Sequence, residues 1–342
     1  MAIYEVKKNE KYIVKIHIGY CNGKRKTMSV RVYGRKKEAE RVEQQLNQKY
    51  KNKALKDNLT MSQLIDEWLP SVKDKLARST YNKYEMHCKK IKNGIGHIRL
   101  KNINARILEE YYNDLKKNSG LADRTISDNY AVVSDILNCA VRWEYIDSNP
   151  NSKAERIKYK KKEAEYYTPF EVQRLLEALD NERYQKNTFS YFRNKALILF
   201  AIDSGCRRGE ITGLTWEDID LTSGKVEINK ATQYLSKYGT FEKETKTDFS
   251  NRTIYVSELT LETIKLWKRE QDLRHIQLGC KWGNSKRVFT NDIGEDMQPN
   301  RPYKILQDII KDNGLKRITF HDLRHTSATL LIARGRTNSN YQ

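Results

Sequence analysis

Apolar and polar positions change rhythm along the chain. Up to about residue 57 they alternate, in Tyr4-Val6, Tyr12-Val14-Ile16-Ile18 and Met28-Val30-Val32, which is the period-two mark of half-buried strands. A turn around Cys21-Asn22-Gly23 joins two of these runs, because Asn-Gly favours a tight hairpin. A charged helical pattern covers residues 36 to 50, so the first segment predicts a three-stranded sheet with one helix. From Thr60 to Asn149 the period becomes helical. Thr60 is placed to cap a helix carrying Leu64, Ile65, Trp68 and Leu69. Ser79 and Thr80 are placed to cap a second, through Tyr84, Cys88 and Ile91, which Gly94-Ile95-Gly96 stops. A third, from about Ala105, carries Ile107, Leu108, Tyr111, Tyr112 and Leu115. A fourth begins near Asp123 and runs through Ile126, Tyr130, Val133, Ile136, Leu137 and Ala140 to Trp143, before Asn149-Pro150 breaks the pattern.

Residues 150 to 165 are polar and Lys-rich with few apolar anchors, which predicts an interdomain linker. Thr168-Pro169-Phe170-Glu171 combines an N-cap threonine, proline at the first helical position and glutamate in capping-box register. A further domain therefore opens near Tyr167. Its apolar run over 195–203 predicts a buried helix that Gly205 closes in a left-handed cap. Strands are expected at 226–228, 240–245 and 252–256, the last two joined through 248–251 as a hairpin with Lys246 on its tip side. Helices return at 259–273 and 302–311. The expected fold is multidomain. A small α+β domain (1–57) precedes an all-α domain (58–150) and a linker (151–166). A mainly α domain with a small antiparallel sheet (167–342) completes the chain.

Composition adds a partner. The 64 Lys and Arg exceed the 44 Asp and Glu by a formal +20, which suits a polyanion, with nucleic acid ahead of an acidic membrane surface. Residues 1–57 hold 16 Lys and Arg against 6 Asp and Glu, half of that excess. No run of 18 apolar residues occurs and Met1 to Lys7 lacks a signal peptide's apolar core, so a protein that stays in the cytoplasm is expected. Cys21, Cys88, Cys139, Cys206 and Cys280 are scattered and odd in number, which argues against a disulfide framework or a zinc site.

Two basic clusters carry the candidate chemistry. Gly205-Cys206-Arg207-Arg208-Gly209-Glu210 follows the buried helix, and His321-Asp322-Leu323-Arg324-His325 starts another helical pattern. A guanidinium is a planar, permanently charged fork suited to phosphate oxygens. His321 and Arg324 lie three apart, on one face if a helix begins there, where backbone amides add to phosphate binding. Two arginines and a histidine can hold one phosphodiester and move protons around it.

These clusters, with Thr245-Lys246-Thr247 before a predicted strand, resemble the catalytic domain of the tyrosine recombinases, the phage and transposon integrases. The segments before residue 165 resemble that family's arm-binding and core-binding DNA domains. The resemblance implies Arg207 and Arg324 as phosphate-gripping arginines and Lys246 as general acid, with Lys243 its rival in register. It makes His321 an acid/base or orienting group and Glu210 the acidic support of the site. Arg208 becomes a DNA or surface contact and His325 a structural residue. A transesterification through a protein–DNA linkage, without metal or nucleotide cofactor, is implied. So are a tetramer on two duplex DNA sites and accessory DNA-bending or excision factors.

After Gly335 the pattern departs from that family, whose tyrosine lies nearly twice as far beyond the second arginine as Gln342 does. Tyr341 stands in a short polar segment without apolar periodicity. The expectation is a chain that lacks its nucleophile, and a DNA-binding protein without chemistry is the alternative class. A metal-dependent nuclease is the other, though no carboxylate and histidine cluster with ligand spacing accompanies Arg207 or Arg324. Duplex DNA affinity is expected to fall steeply with salt, because phosphate contacts release condensed counterions. Deleting residues 1–57 flattens that dependence in a salt titration; an unchanged slope would remove the segment from the interface.

Overall fold

The computed structural model describes residues 2–7, 10–21, 24–160, 163–244 and 251–333. The chain divides into two units, 1–161 and 162–342. In the first, β1 (Ala2–Lys7), β2 (Lys11–Cys21) and β3 (Lys24–Tyr33) form an antiparallel sheet in that order. Tyr12 and Val14 face Val32 and Val30 across β2 and β3, and Tyr12, Val14, Val32 and Ala39 are buried together. In β1 the packed side chain is Ile3, while Tyr4 and Val6 are exposed. The turn residues Asn22 and Gly23 lie outside the described residues. Helix α1 (Lys36–Asn58) extends past the expected end at 50, since 51–58 contains neither glycine nor proline to stop it.

A separate apolar core is built by α2 (Met61–Ser71), α3 (Arg78–Ile95), α4 (Ala105–Asn118) and α5 (Asp123–Arg142). Met61, Leu64, Ile65 and Trp68 recur at helical spacing on α2 and are all buried. Thr60 and Gln63 form a reciprocal capping box, and Asn104 caps α4 by accepting from the Ile107 amide. The expected Ser79 and Thr80 caps are not used: α3 starts at Arg78 after Ala77, whose side chain makes no cap. Extended backbone at Ala77 begins the helix before either hydroxyl residue and leaves both inside it.

The segment expected to be a plain linker is anchored at its start. Asn151 is fully buried; its Oδ1 accepts from Tyr112 Oη at 2.8 Å, and its Nδ2 donates to Tyr130 O at 3.1 Å and Ser134 Oγ at 2.7 Å. Ala154 joins the same core.

The second unit comprises α6 (Pro169–Leu179), α7 (Glu182–Gln185), α8 (Thr188–Ser204), α9 (Arg208–Gly213), β4 (Lys225–Ile228), β5 (Lys230–Leu235), β6 (Gly239–Glu244), β7 (Arg252–Tyr255), α10 (Glu258–Leu278), α11 (Arg301–Asp312) and α12 (Asp322–Ala333). Thr168 and Glu171 form the expected capping box. Helix α8 is apolar nearly all round, with Ala196, Leu197, Ile198, Phe200 and Ala201 buried. Accordingly it is the central element, packed against α6, α10, α11 and α12.

The strand pairing differs from the expected hairpin. Strand β6 pairs with β5, and β7 pairs with β4. Strand β5 lacks the alternation that would have marked it, and Gly239, at φ 69°, supplies the left-handed residue that closes the β5–β6 turn. Val226 and Ile228 of β4 are buried, and Ile254 of β7 packs against the same core, which fixes the β4–β7 pair. No helix among the described residues is long and apolar enough to cross a membrane.

Asn151 carries one prediction. Asn151→Ala leaves the Tyr112 hydroxyl and two further buried polar groups without their partner, at about 1–3 kcal/mol. Urea unfolding of the full chain is expected to move to lower midpoint; an unchanged midpoint would mean that the stretch after Pro150 is only draped on the helices.

Candidate active site

The first basic cluster is held by the end of α8. Gly205 takes φ 58° and ψ 20°, its amide donates to Ala201 O, and the chain leaves the helix there. The next residue, Cys206, is buried, and its amide donates to Ser204 Oγ at 3.2 Å. Arg207 then caps the short helix α9. Gly209 lets α9 lie against β5, because a Cβ there would stand 2.6 Å from Thr232 O.

Glu210, three residues into this turn, points back rather than out. Its side chain is 3% exposed. Oε2 accepts from the Arg207 amide at 2.8 Å and Oε1 from Arg207 Nη1 at 3.0 Å. The same carboxylate accepts from Arg252 at the start of β7, with Nη2 to Oε2 at 2.8 Å and Nη1 to Oε1 at 3.4 Å. Arg252 Nη2 also reaches Cys206 Sγ at 3.3 Å. Burial alone pushes the Glu210 carboxyl up. The Arg252 hydrogen bonds, the Arg207 amide and the Arg252 charge outweigh it, and the group is held below its ordinary value. Removing one partner of such a buried pair costs about 3–5 kcal/mol, less on the Arg207 side, where 59% of the side chain meets solvent.

The second cluster comes from α12. Thr319 N donates to Asp322 Oδ2 at 2.6 Å, closing the turn that starts the helix, and His321 sits in that turn. Arg324 Nη1 donates to Gly205 O at 2.6 Å. This bond ties α12 to the residue that ends α8 and precedes Cys206-Arg207. Burial, then the Arg207 and Arg252 charges, push the Arg324 guanidinium below its ordinary value. The part that burial does not supply records like charges gathered in one place. Three guanidiniums thus gather around one carboxylate, leaving a local excess of two positive charges.

His321 faces this group. Its ring stands edge-on to His325, with centroids 5.3 Å apart. Burial, then His325 and Arg324, lower its affinity for a proton; Asp322 works in the opposite direction and Arg207 adds to the lowering. Its affinity for a proton is thus below that of an ordinary imidazole.

Arg207, Glu210, His321 and Arg324 are brought together as the sequence suggested. Lys246 lies outside the described residues, and Lys243, its rival in register, pairs with Ala231 in the β5–β6 hairpin. Tyr341 also lies outside the described residues. Arg208 is half-buried on α9, and burial lowers its guanidinium below the ordinary value. Arg252 was missed. Its signal was an arginine opening a short apolar strand, where a half-buried cation needs an acidic partner. No group of three or more His, Cys, Asp or Glu among the described residues is arranged to hold a metal ion.

Comparison with known proteins gives the arrangement a context. Residues 165–339 match the model of the phage integrase family, and 60–116 match that of the phage integrase N-terminal SAM-like domain. A tyrosine recombinase XerC-like protein of Caldanaerobacter subterraneus subsp. tengcongensis is 28% identical, over 95% of this chain and 86% of its own. The ICEBs1 integrase of Bacillus subtilis is 25% identical, over 88% and 79%. The Tn1549 transposon integrase bound to transposon right-end DNA shares the fold with a TM-score of 0.66 at 18% identity, over 82% of this chain and 88% of that one. A lambda integrase tetramer bound to a Holliday junction gives a TM-score of 0.58 at 16% identity, over 97% and 88%.

His321 carries a pH prediction. Its folded value lies below about 6.5, the ordinary imidazole value. A bound phosphate favours the charged ring and raises that value. Anion binding near pH 6 is therefore expected to take up protons, and affinity to rise as pH falls from 7 to 6. Calorimetry in two buffers of different ionisation enthalpy reads the uptake. Its persistence in His321→Asn would assign it to another group.

Proposed function

The chain belongs to the phage integrase family, and from that premise we propose that Arg207, Arg324 and His321 grip the scissile phosphate of a site-specific DNA recombinase. The observation that carries this reading is the shared Glu210 carboxylate. It fixes Arg207 in place yet leaves the guanidinium's other N–H groups facing solvent, while Arg324 is held beside it on Gly205 O.

In this reading a tyrosine hydroxyl attacks phosphorus, forming a phosphate–tyrosine ester as the bond to the 5′ oxygen breaks. The tyrosine proton passes to His321 as base, a role that its lowered proton affinity supports, and Lys246 gives a proton to the departing oxygen. The two arginines stabilise the charge that develops on the five-coordinate phosphorus. The new ester conserves the energy of the old bond, so rejoining needs no nucleotide. Residues 1–57 serve arm-type DNA sites and 58–150 the core site. The tetrameric Holliday-junction complex of lambda integrase supports four protomers on two duplexes, and accessory DNA-bending or excision factors act with them.

The alternative is a protein that binds attachment-site DNA without cutting it. A nicked suicide substrate traps any covalent adduct. An adduct mapping to a tyrosine by mass spectrometry supports the recombinase; binding in gel shifts with no adduct supports the alternative.

The phosphate grip is tested by strand cleavage of attachment-site DNA. Arg207→Ala and Arg324→Ala are each expected to slow strand cleavage by about 100-fold or more, with DNA affinity little changed. Arg208→Ala is milder. A critical Arg208 with a dispensable Arg207 would refute the assignment.

A further inference from the structure

Arg252 has no role in the reading above, yet its contacts with Glu210 are closer to a paired fork than those of Arg207. The carboxylate is buried and carries one negative charge. If Arg207 were its only cationic partner, the two charges would cancel, and the guanidinium would be drawn fully onto the carboxylate. Arg252 occupies both oxygens from the β7 side, at 2.8 and 3.4 Å. Arg207 is left with a single side-chain bond, Nη1 to Oε1. Arg252 is also fixed independently of the site, by β-pairing opposite Ile228 and by Cys206 Sγ.

We propose that Arg252 is a positioning residue for the phosphate site: by neutralising Glu210 from the far side, it keeps the charge and free N–H groups of Arg207 available to an incoming phosphodiester. This rests on the reading of Arg207 and Arg324 as the phosphate grip. Two roles are thereby divided between chemically identical side chains, with Arg252 serving the carboxylate and Arg207 the ligand. The division follows from geometry, since Arg207 is the more exposed of the two, at 59% against 23% of the side chain.

Charge balance makes the role testable apart from simple support of the fold. The probe is phenyl phosphate, whose binding to the 342-residue chain is followed by calorimetry, with Arg207→Ala defining the site-specific part. Arg252→Gln is expected to weaken that part about ten-fold, the order expected when one charge leaves a low-dielectric cluster. The double variant Arg252→Gln/Glu210→Gln removes one positive and one negative charge, so it is expected to recover most of the affinity. Recovery is not expected of a purely structural residue, whose loss would be compounded by a second change. Arg252→Lys keeps the charge but loses the fork, so it is expected to fall between the original and Arg252→Gln; it also serves if Arg252→Gln does not fold. Unchanged binding in Arg252→Gln, a double variant no better than the single, or an Arg252→Lys as weak as Arg207→Ala would each overturn the proposal. If Arg207→Ala itself leaves binding intact, the phosphate-grip reading falls and takes this inference with it.

Discussion

One buried carboxylate organises the second unit's chemistry. Glu210 cannot be left charged in the interior without partners, because desolvation would cost more than its local bonds return. It has three: a backbone amide and two guanidiniums. Each partner comes from a position the fold must hold, namely the cap of α9, the Arg207 side chain and the start of β7. A demand for charge compensation in the core is thereby turned into an arrangement of cations at the surface. The third guanidinium, Arg324, is added through a neutral acceptor, Gly205 O, so it brings positive charge without bringing a counter-charge.

The packing explains why these groups stay in register. Helix α8 is surrounded by other helices along its length, and its last turn ends on a left-handed glycine. Gly205 is thus both the stop of the central helix and the carbonyl that α12 reaches. Displacing α12 from α8 would pull Arg324 from its acceptor; displacing β7 would pull Arg252 from Glu210. The site therefore reports on two contacts of one core rather than on a loop free to adjust.

Much of this was legible in the sequence where local signals were strong. Thr168-Pro169-Phe170-Glu171 announced its capping box, Gly205 its left-handed cap, and the 61–68 spacing its buried face. Arg207, His321 and Arg324 stood out because basic residues flanked apolar helical runs, and Glu210 through the family resemblance. What stayed hidden depended on long-range pairing. Strand β5 has no alternation to betray it, so β6 was given the wrong partner. The partnership of Arg252 with Glu210 spans 42 positions, and nothing in the residues around 252 names its acidic partner. The α3 start was missed for the opposite reason: Ser79 and Thr80 look like caps, but the backbone turns earlier, at Ala77.

The central claim is that Arg207, freed by Arg252, forms one oxyanion site with Arg324 and His321. Tungstate is a tetrahedral oxyanion heavy enough to locate by anomalous scattering in a crystal. The account predicts a tungstate within hydrogen-bond distance of both the Arg207 and Arg324 guanidiniums and of the His321 ring, with Arg252 still on Glu210. An ordered tungstate bound elsewhere, with Arg207 folded flat onto Glu210 and Arg324 unoccupied, would contradict it.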